Sequence, residues 1–484
     1  MISTKRQRPV EEPVKPTACA ASSPRATLPF DWPMANEAEE FLRERIARFL
    51  KRNTFARQLA DRMRAETGTD FFEWIDHVVL AASEEKALRE AGFVRDPEAT
   101  TPDGEPVYER PRTTLPRVIL RRSRQQSPSL VALRPESVAD FMACHNVAGE
   151  PEGEPFSRYR RILVAEENGT RLESVERRAY LGFTTAPLQR GELGNLIKAR
   201  ELWRTRQRVF PTDAQGIRAA HQTLDQVLRL VGPDLACHLF FEAERIYWES
   251  RNHAARTQKH RQDRLGLGWG NHDHHTFRSS REHFVDLVEF LLKLGFSKRE
   301  RYYAGAEAGW GAQVSEQPAA GIVVFADVDL MPDETELDFS ALRLPPASRL
   351  GTVGLWVGLH GESLLEAGMH HLEARFEFDL LRDQLKDCGV NTMNPFSDFP
   401  FLRQAFTEGE RWPVRRERAE RLLRARLITR QQSGQFVKNG ALGSHLENLQ
   451  RHGGFKGFNQ KAVSVVISAT DPRKNHFRPA SAPA

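Results

Sequence analysis

The stretch "HDHHTFRSSREHFVDLVEFLLKLGF", residues 272–296, predicts the fold. Its first residues alternate between two faces as a strand does, and the apolar residues that follow recur with the period of an amphipathic helix. Three further segments, "KRERYYAG", "WGAQVSEQ" and "AGIVVFADVDL", are rich in aromatic or β-branched residues and are predicted strands. The predicted order is therefore βαβββ, in a protein of the α+β class.

A strand that carries a histidine and leads into an amphipathic helix occurs three times. The other two copies are "IDHVVLAASEEKALREAGF", which contains His77, and "MHHLEARFEFDLLRDQLKDCGV", which contains His371. Adjacent residues of a strand point to opposite faces, so His274 and His275 cannot both face one site. His274 shares a polar face with Arg278, and His371 shares one with Glu373 and Arg375.

Less specific interpretations of these histidines are also open. The segment around His274 could be a surface loop, and a single histidine on a strand is more often a packed residue than a metal ligand. A third candidate segment, "GSHLENLQRHGGFKGFNQKAV" (443–463), contains Glu447. The spacing of Leu442, Leu446 and Leu449 favours an amphipathic helix there. The segment beyond it, up to Pro472, is predicted to be either a helix that closes over the site or a core strand.

The pattern of helices and strands divides the chain into five predicted regions. They are a disordered tail (1–35), an N-terminal helix with a first module (36–180), a helical block (181–266), a metal-binding region with a helical insertion (267–474) and a frayed tail (475–484). Within the fourth region, "GTVGLWVGLHG" (351–361) is predicted as a strand and residues 399–429 as helical.

Composition indicates a soluble, globular, cytoplasmic protein. Of the 484 residues, 40% are hydrophobic and 28% charged, and the net charge is +5 with the two signs interleaved, which gives no argument for nucleic-acid binding. No apolar run is long enough for a membrane span, and the first residues lack the apolar core of a secretory signal. The four cysteines are far apart and form no CxxC, which argues against a zinc knuckle or a disulfide framework.

These strand–helix units resemble the βαβββ modules of the vicinal oxygen chelate superfamily. The segment from Leu446-Glu447 through Gln450-Arg451 and Gly454-Phe455 to Asn459 and Lys461 is similar to the closing segment of 4-hydroxyphenylpyruvate dioxygenases. The Gly-x-x-His from Gly368 to His371 matches the same family. This resemblance implies that His274, His371 and Glu447 are the metal ligands.

A second resemblance is to the 2-oxoadipate dioxygenase/decarboxylase family. It covers "WIDHVVL", "LPRVILR", "HDHHTFR" and "GSHLENLQR". This comparison implies His77, His274 and Glu447 as ligands, so the two resemblances agree on His274 and Glu447 and leave His77 and His371 as alternatives.

Both families imply a non-haem Fe(II) dioxygenase that acts on a 2-oxo acid with oxidative decarboxylation, with the 2-oxo acid and O₂ as its small-molecule partners. Two imidazoles and one carboxylate leave open positions for a chelating substrate and O₂ on Fe(II). Arg278 is a candidate to pair with a substrate carboxylate, with a surface arginine as the alternative, and Gln450 is a second catalytic candidate. Other possible functions are a glyoxalase-like isomerase, an extradiol dioxygenase or a metal-free binding or scaffold protein. The sequence gives no indication of the oligomeric state.

Overall fold

A computed structural model describes residues 32–122, 128–303, 309–459, 471 and 473. This part of the chain forms two β-sheets, one of seven and one of nine strands. Helices α1 (Asn36–Arg52) and α2 (Thr54–Arg62) precede the first sheet. The apolar face of α1 is buried, and its last turn is followed by Asn53, whose side chain caps α2 by accepting from the backbone N–H of Ala56.

The first sheet consists of two strand–helix units placed side by side. The first unit is β1 (Ile75–Ala81), α3 (Glu85–Glu90), β2 (Val94–Thr100), β3 (Pro106–Glu109) and β4 (Arg117–Arg121). The second unit is β5 (Leu130–Leu133), α4 (Val138–His145), β6 (Tyr159–Glu167) and β7 (Thr170–Arg177). The strand order is β2-β3-β4-β1-β5-β7-β6. In each unit the first strand pairs in parallel with the last, and β1 and β5 join the units in antiparallel fashion.

Three helices connect the two sheets. They are α5 (Glu192–Thr205), α6 (Asp213–Glu249) and α7 (His253–Asp263). Helix α6 is kinked where Gly232 has φ 72° and is followed by Pro233, because the proline cannot continue the hydrogen-bond ladder. No helix in the described residues is both long and apolar enough to cross a membrane.

The second sheet repeats the arrangement of the first with complete units. One unit is β8 (His272–Arg278), α8 (Phe284–Lys293), β9 (Ser297–Tyr303), β10 (Trp310–Gln317) and β11 (Ile322–Asp329). After helix α9 (Thr352–His360), the other contains β12 (His371–Arg375), α10 (Phe378–Asp387), β13 (Ser397–Phe399), β14 (Leu402–Phe406), β15 (Glu410–Trp412), α11 (Arg416–Arg424), α12 (Arg430–Asn439) and β16 (Ala441–Arg451). The order is β13-β14-β16-β12-β8-β11-β10-β9, with β15 paired to β16.

This topology confirms the predicted α+β class and the predicted βαβββ modules. Strands β8 and β11 are parallel, β12 and β16 are parallel, and β8 and β12 join the two units antiparallel. Both sheets thus pair two modules through their first strands, an arrangement consistent with the modules that the resemblance to the vicinal oxygen chelate superfamily implies. The three histidine-bearing strands β1, β8 and β12 each begin a module. The fourth module begins with β5, which carries no histidine and was not predicted.

Three local predictions are wrong. Residues 351–361 contain helix α9 rather than a strand, and residues 399–429 contain the end of β13 and strands β14 and β15 before their single helix, α11. Glu447 lies in the eleven-residue strand β16 and not in a helix, and nine of the eleven residues of that strand are buried. Most of the predicted closing segment, residues 460–470, lies outside the described residues.

The two faces of the second sheet have different environments. Helices α6 and α8 cover one face, where Phe277 packs against Phe240 and Phe241 at ring-centroid distances of 6.1 and 5.9 Å. His275 lies on this face too, with its ring 4.8 Å from that of Phe241. The opposite face carries the polar residues predicted from strand alternation and bears a pocket.

The equivalent face of the first sheet is filled by side chains. Phe183 packs there among Val79, Ile119 and Val175, and its ring lies 6.2 Å from that of Tyr159. The chain that follows β7 thus covers this face of the first sheet, whereas the equivalent face of the second sheet remains open.

Replacing Phe277 by alanine should destabilise the protein by about 3–5 kcal/mol, because a fully buried ring would leave a cavity between the sheet and α6. Chemical denaturation followed by fluorescence measures the loss. The matched control is Phe399→Ala, since that ring is 42% exposed, and its effect should stay within about 1 kcal/mol. Equal effects of the two substitutions would contradict the assignment of this face as core.

Candidate metal centre

A pocket opens on the face of the second sheet that the helices leave uncovered. Its open space is about 550 Å³ including the mouth. Six aromatic side chains form most of its wall: Tyr302, Trp310, Phe325, Phe396, Phe406 and Phe458. The polar lining residues are Thr276, Arg278, Asp327, His371, Glu373, Gln404, Glu447 and Asn459. The pocket is therefore mostly apolar, with polar groups concentrated at its base and at one side.

Three side chains that are able to bind a metal converge in the pocket. His371 and Glu373 lie two residues apart on β12 and therefore share a face, and Glu447 lies opposite Glu373 on β16. His371 Nε2 is 3.3 Å from Glu447 Oε2 and 3.5 Å from Glu373 Oε1. One donor atom from each residue lies within 4.8 Å of the other two, so these donors could hold one metal ion.

Hydrogen bonds orient His371 within this cluster. His370 Nδ1 lies 2.7 Å from His371 Nδ1, so the Nδ1 side of the ring is engaged by protein. The Nε2 side faces the two carboxylates and lies 2.9 Å from the hydroxyl of Thr276. A ligating imidazole is ordinarily held through its other nitrogen in this way. Burial lowers the pKa of His371, which keeps the ring neutral and its lone pair available for a metal.

The two carboxylates are buried side by side. Burial, and next the charge of Glu373, raise the pKa of Glu447 well above its usual range. Burial also acts against ionisation of Glu373, but the neighbouring His274 outweighs it and lowers the pKa of that carboxyl. Two adjacent buried carboxyl groups cannot both ionise readily without a cation between them.

The residues present fit a divalent metal. Oε2 of Glu447 is buried and accepts no hydrogen bond, whereas Oε2 of Glu373 contacts Nδ1 of His274. Gln404 Nε2 donates to the other oxygen of Glu447 at 3.0 Å, which fixes that carboxylate and leaves Oε2 directed at His371. A cation at this point would satisfy the unpaired Oε2 of Glu447.

His274 lies behind Glu373 and does not line the pocket. Its Nδ1 contacts Glu373 Oε2 and is 2.5 Å from Asp273 Oδ1, and the same three residues form a second group of potential ligands. Burial disfavours the imidazolium, but Glu373 and Asp273 raise the pKa of His274. Its ring packs edge-on against Phe325, with centroids 4.9 Å apart.

Arg278 lies on the pocket wall, as the strand alternation from His274 predicts. Its side chain is buried, and its Nε is 3.7 Å from Asp327 Oδ2 without a hydrogen bond of acceptable geometry. Burial lowers the pKa of Arg278 to about 10, and burial raises the pKa of Asp327 to about 7 against the opposing charge of Arg278. The pair therefore places a poorly satisfied cation beside a carboxyl that is easily protonated.

The structure brings only some of the predicted site residues together. His371 and Glu447 meet, and His274 adjoins them through Glu373. His77 lies in the first sheet, where its Nδ1 is 2.7 Å from Asp76 Oδ2, and Asp76 is in turn held by Arg177.

Gln450 is also separate from the pocket. It differs in strand parity from Glu447, and its Oε1 accepts from the backbone N–H of Phe378 at the start of α10. Sequence reasoning missed Glu373 and Asp327 as site residues. The signal for Glu373 was its position on the same strand face as His371, whereas Asp327 showed only as one residue of a predicted strand.

Comparisons with known proteins give weak structural similarities. No protein-family model matches the chain, and no curated protein matches it. A variant of 4-hydroxymandelate synthase from Streptomyces coelicolor is similar at 13% identity over 83% of this chain and 99% of that chain, with a TM-score of 0.28. Methylmalonyl-CoA epimerase from Mycobacterium tuberculosis is similar at 12% identity over 38% and 88%, with a TM-score of 0.22.

Glyoxalase I from Zea mays is similar at 16% identity, with a TM-score of 0.17. The match covers 22% of this chain and 43% of the glyoxalase chain. The fold assignment rests on strand topology, to which similarities of this size add nothing. These similar proteins are enzymes, and their activities are properties of those proteins alone.

His371→Ala should weaken divalent-metal binding by more than about 100-fold, because the substitution removes a side chain that would bind the metal directly. Loss of a residue that only orients a ligand usually weakens binding by about 10- to 100-fold. His77→Ala should change the affinity by less than about threefold, because His77 lies in the other sheet. Anaerobic titration calorimetry with Fe(II) or Mn(II) measures both, and circular dichroism checks folding. The reverse result would favour the ligand set with His77, and normal binding by both variants would exclude both sets.

Proposed function

We propose that the protein is a metal-dependent enzyme, and specifically a non-haem Fe(II) dioxygenase that acts on a 2-oxo acid with oxidative decarboxylation. The convergence of His371, Glu373 and Glu447 at the base of a pocket carries the proposal. The resemblance of the sequence to two dioxygenase families that use 2-oxo acids selects this activity among those known for the fold.

The metal would be held by His371 and Glu447 together with Glu373 or His274. A site of three protein donors suits Fe(II), which when bound would supply the binding of the 2-oxo acid and the reduction of O₂. His370 and Gln404 hold His371 and Glu447 in orientation through hydrogen bonds of 2.7 and 3.0 Å. These residues therefore define the donor geometry before any ligand arrives.

Arg278 gives the pocket a binding group for an acidic substrate. It lies two residues beyond Thr276, which is paired with His371 across the strands, and hence roughly 7 Å further along β8. An acid of a few carbons could reach from the metal to this guanidinium. When Asp327 is protonated, its carboxyl group no longer competes as an anion for the guanidinium of Arg278.

The aromatic wall would keep water from the reacting centre. Phe325 and Phe458 pack edge-to-face with centroids 5.0 Å apart, and Tyr302 packs against Phe458 at 5.1 Å. On the other side of the pocket Phe396 and Phe406 are 5.0 Å apart. Such a wall favours binding of the apolar part of a substrate and limits hydrolysis or loss of reactive species.

Protein reconstituted anaerobically with Fe(II) should consume O₂ when a 2-oxo acid is added and release one CO₂ for each O₂. An oxygen electrode combined with ¹⁴CO₂ capture from carboxyl-labelled 2-oxo acids measures the ratio, and the His371→Ala protein is the control. Absence of bound iron would contradict the enzyme proposal and favour a metal-free binding protein. O₂ use without CO₂ would favour an extradiol dioxygenase.

A glyoxalase-like isomerase is the second candidate, and the carboxyl pair favours it. Glu447 has a raised pKa beside a potential metal, which suits a group that accepts and returns a proton. An isomerase would use bound metal and consume no O₂. Metal binding with no O₂ uptake across a panel of 2-oxo acids would therefore favour this candidate over the dioxygenase.

Arg278→Gln should raise the KM for the 2-oxo acid about 10- to 100-fold, the effect of losing a charge-assisted hydrogen bond of about 1.5–3 kcal/mol. Metal affinity should not change. Arg382→Gln is the matched control, since that side chain is 43% exposed on α10. Steady-state kinetics at saturating Fe(II) measures the effect, and unchanged KM would contradict the role of Arg278.

Substrate binding should also weaken as pH rises through about 7. Asp327 ionises there and then competes for the guanidinium of Arg278, whereas below this pH the protonated carboxyl leaves it free. In Asp327→Asn no carboxylate forms, so the dependence of KM on pH in this range should disappear. The pH profile of KM in the two proteins measures this, and an identical profile would show that Asp327 does not titrate against substrate.

A further inference from the structure

Glu373 faces the pocket and could bind a metal. It is absent from both ligand sets that the sequence resemblances imply, because each of those sets contains two histidines and Glu447. Its carboxylate lines the pocket together with His371 and Glu447. Its Oε1 is 3.5 Å from His371 Nε2, close to the 3.3 Å between that nitrogen and Glu447 Oε2. Separations near 3 Å are those expected between neighbouring ligands of one ion whose bonds are about 2.1 Å long.

His274 is poorly placed to be the remaining ligand. It does not line the pocket, and both of its ring nitrogens face protein groups. Nδ1 lies against the carboxylates of Glu373 and Asp273, and Nε2 is 3.5 Å from Nη2 of Arg451. The guanidinium of Arg451 is itself fixed by Asp273, with contacts of 3.1 and 3.2 Å. A fixed cation beside Nε2 opposes the approach of a metal ion to that nitrogen.

We infer that the metal ligands of this chain are His371, Glu373 and Glu447, and that His274 is a positioning residue that holds Glu373. This assignment rests on the proposed metal-dependent function. The chain Arg451–Asp273–His274–Glu373 supplies the orientation that an outer shell gives to a ligating carboxylate. The sheet register supports it, because Glu373 lies opposite His274 on one side and opposite Glu447 on the other.

A donor set of one imidazole and two carboxylates has consequences for the choice of metal. Two carboxylates neutralise the charge of a divalent ion and provide oxygen donors, which suit Mn(II) and Fe(II) better than softer ions. Replacing Glu373 by glutamine would remove one negative charge and keep the shape of the side chain. Asparagine at position 274 would place an amide N–H near the position of Nδ1 and so preserve the contact with Glu373.

Mn(II) titration of the full-length protein, followed by EPR, tests the assignment. Glu373→Gln should weaken binding by more than about 100-fold, and His274→Ala by about 10- to 100-fold as for an outer-shell residue. His274→Asn should recover affinity to within about tenfold of the unsubstituted protein. Loss of binding in His274→Asn with near-normal binding in Glu373→Gln would overturn the inference. Thermal unfolding of each variant monitors folding.

Pulsed EPR provides a second readout, and its main measurement is made on the unsubstituted protein. In the Mn(II)-loaded protein with ¹⁵N-labelled histidine, one imidazole nitrogen should couple directly to the ion, with the same signal in His274→Asn. Two coupled imidazoles, one of them lost in His274→Asn, would overturn the ligand assignment and leave the metal-dependent function standing. Failure of the unsubstituted protein to bind Mn(II) or Fe(II) would overturn both.

Discussion

The hydrogen-bond register of β8, β12 and β16 is the constraint on which the proposed site depends. It places His274, Glu373 and Glu447 directly opposite one another on three adjacent strands. A slip of one residue in any of these strands would turn its polar side chains to the opposite face. The register is held from that face, where Phe277, Leu372 and Leu446 belong to one buried cluster under the helices. The hydrophobic core thus determines which acids and imidazoles meet, although none of its members touches the pocket.

The two sheets share one arrangement of modules but differ in whether their buried charged groups have partners within the protein. In the first sheet, the guanidinium of Arg177 lies 4.5 Å from the ring centroid of Tyr159 and 4.9 Å from that of Phe183. Arg177 also holds Asp76, which binds His77, so every charged group of that cluster has a partner within the protein. In the second sheet, by contrast, the buried Oε2 of Glu447 accepts no hydrogen bond. A satisfied cluster stabilises the fold, whereas an unsatisfied one indicates a position for a ligand.

Alternation of residue type was enough to predict the modules, because a strand with one covered and one open face shows a period of two. It predicted the separate faces of His274 and His275 for the same reason. It failed for β16, whose two faces are both buried, so that Leu442, Leu446 and Leu449 imitate a helical period. The prediction of a strand at residues 351–361 failed because packing in helix α9 overrides the β propensity of this segment. A side chain at Gly354 would meet Asp329 at 2.3 Å, and one at Gly358 would meet Leu422 at 2.9 Å. The proximity of Glu373 to His274 could not be predicted, since pairing between strands 99 residues apart leaves no local pattern.

The N-terminal half of the chain contributes to the pocket even though its own sheet is filled. Phe458 and Asn459 belong to the segment after β16, and this segment is fixed by residues from the N-terminal half. The backbone N–H groups of Ala35 and Thr114 donate to the carbonyls of Gly453 and Gly454, and the carboxylate of Glu39 accepts from the N–H of Gly454. Both glycines have φ near +60°, and a side chain at Gly453 or Gly454 would collide with Asn36 or Leu115. One wall of the pocket is therefore built by contacts between residues more than 300 positions apart. The N-terminal residues that make these contacts, which include none of the proposed ligands, thus fix the segment that carries Phe458 and Asn459 beside the proposed metal ligands.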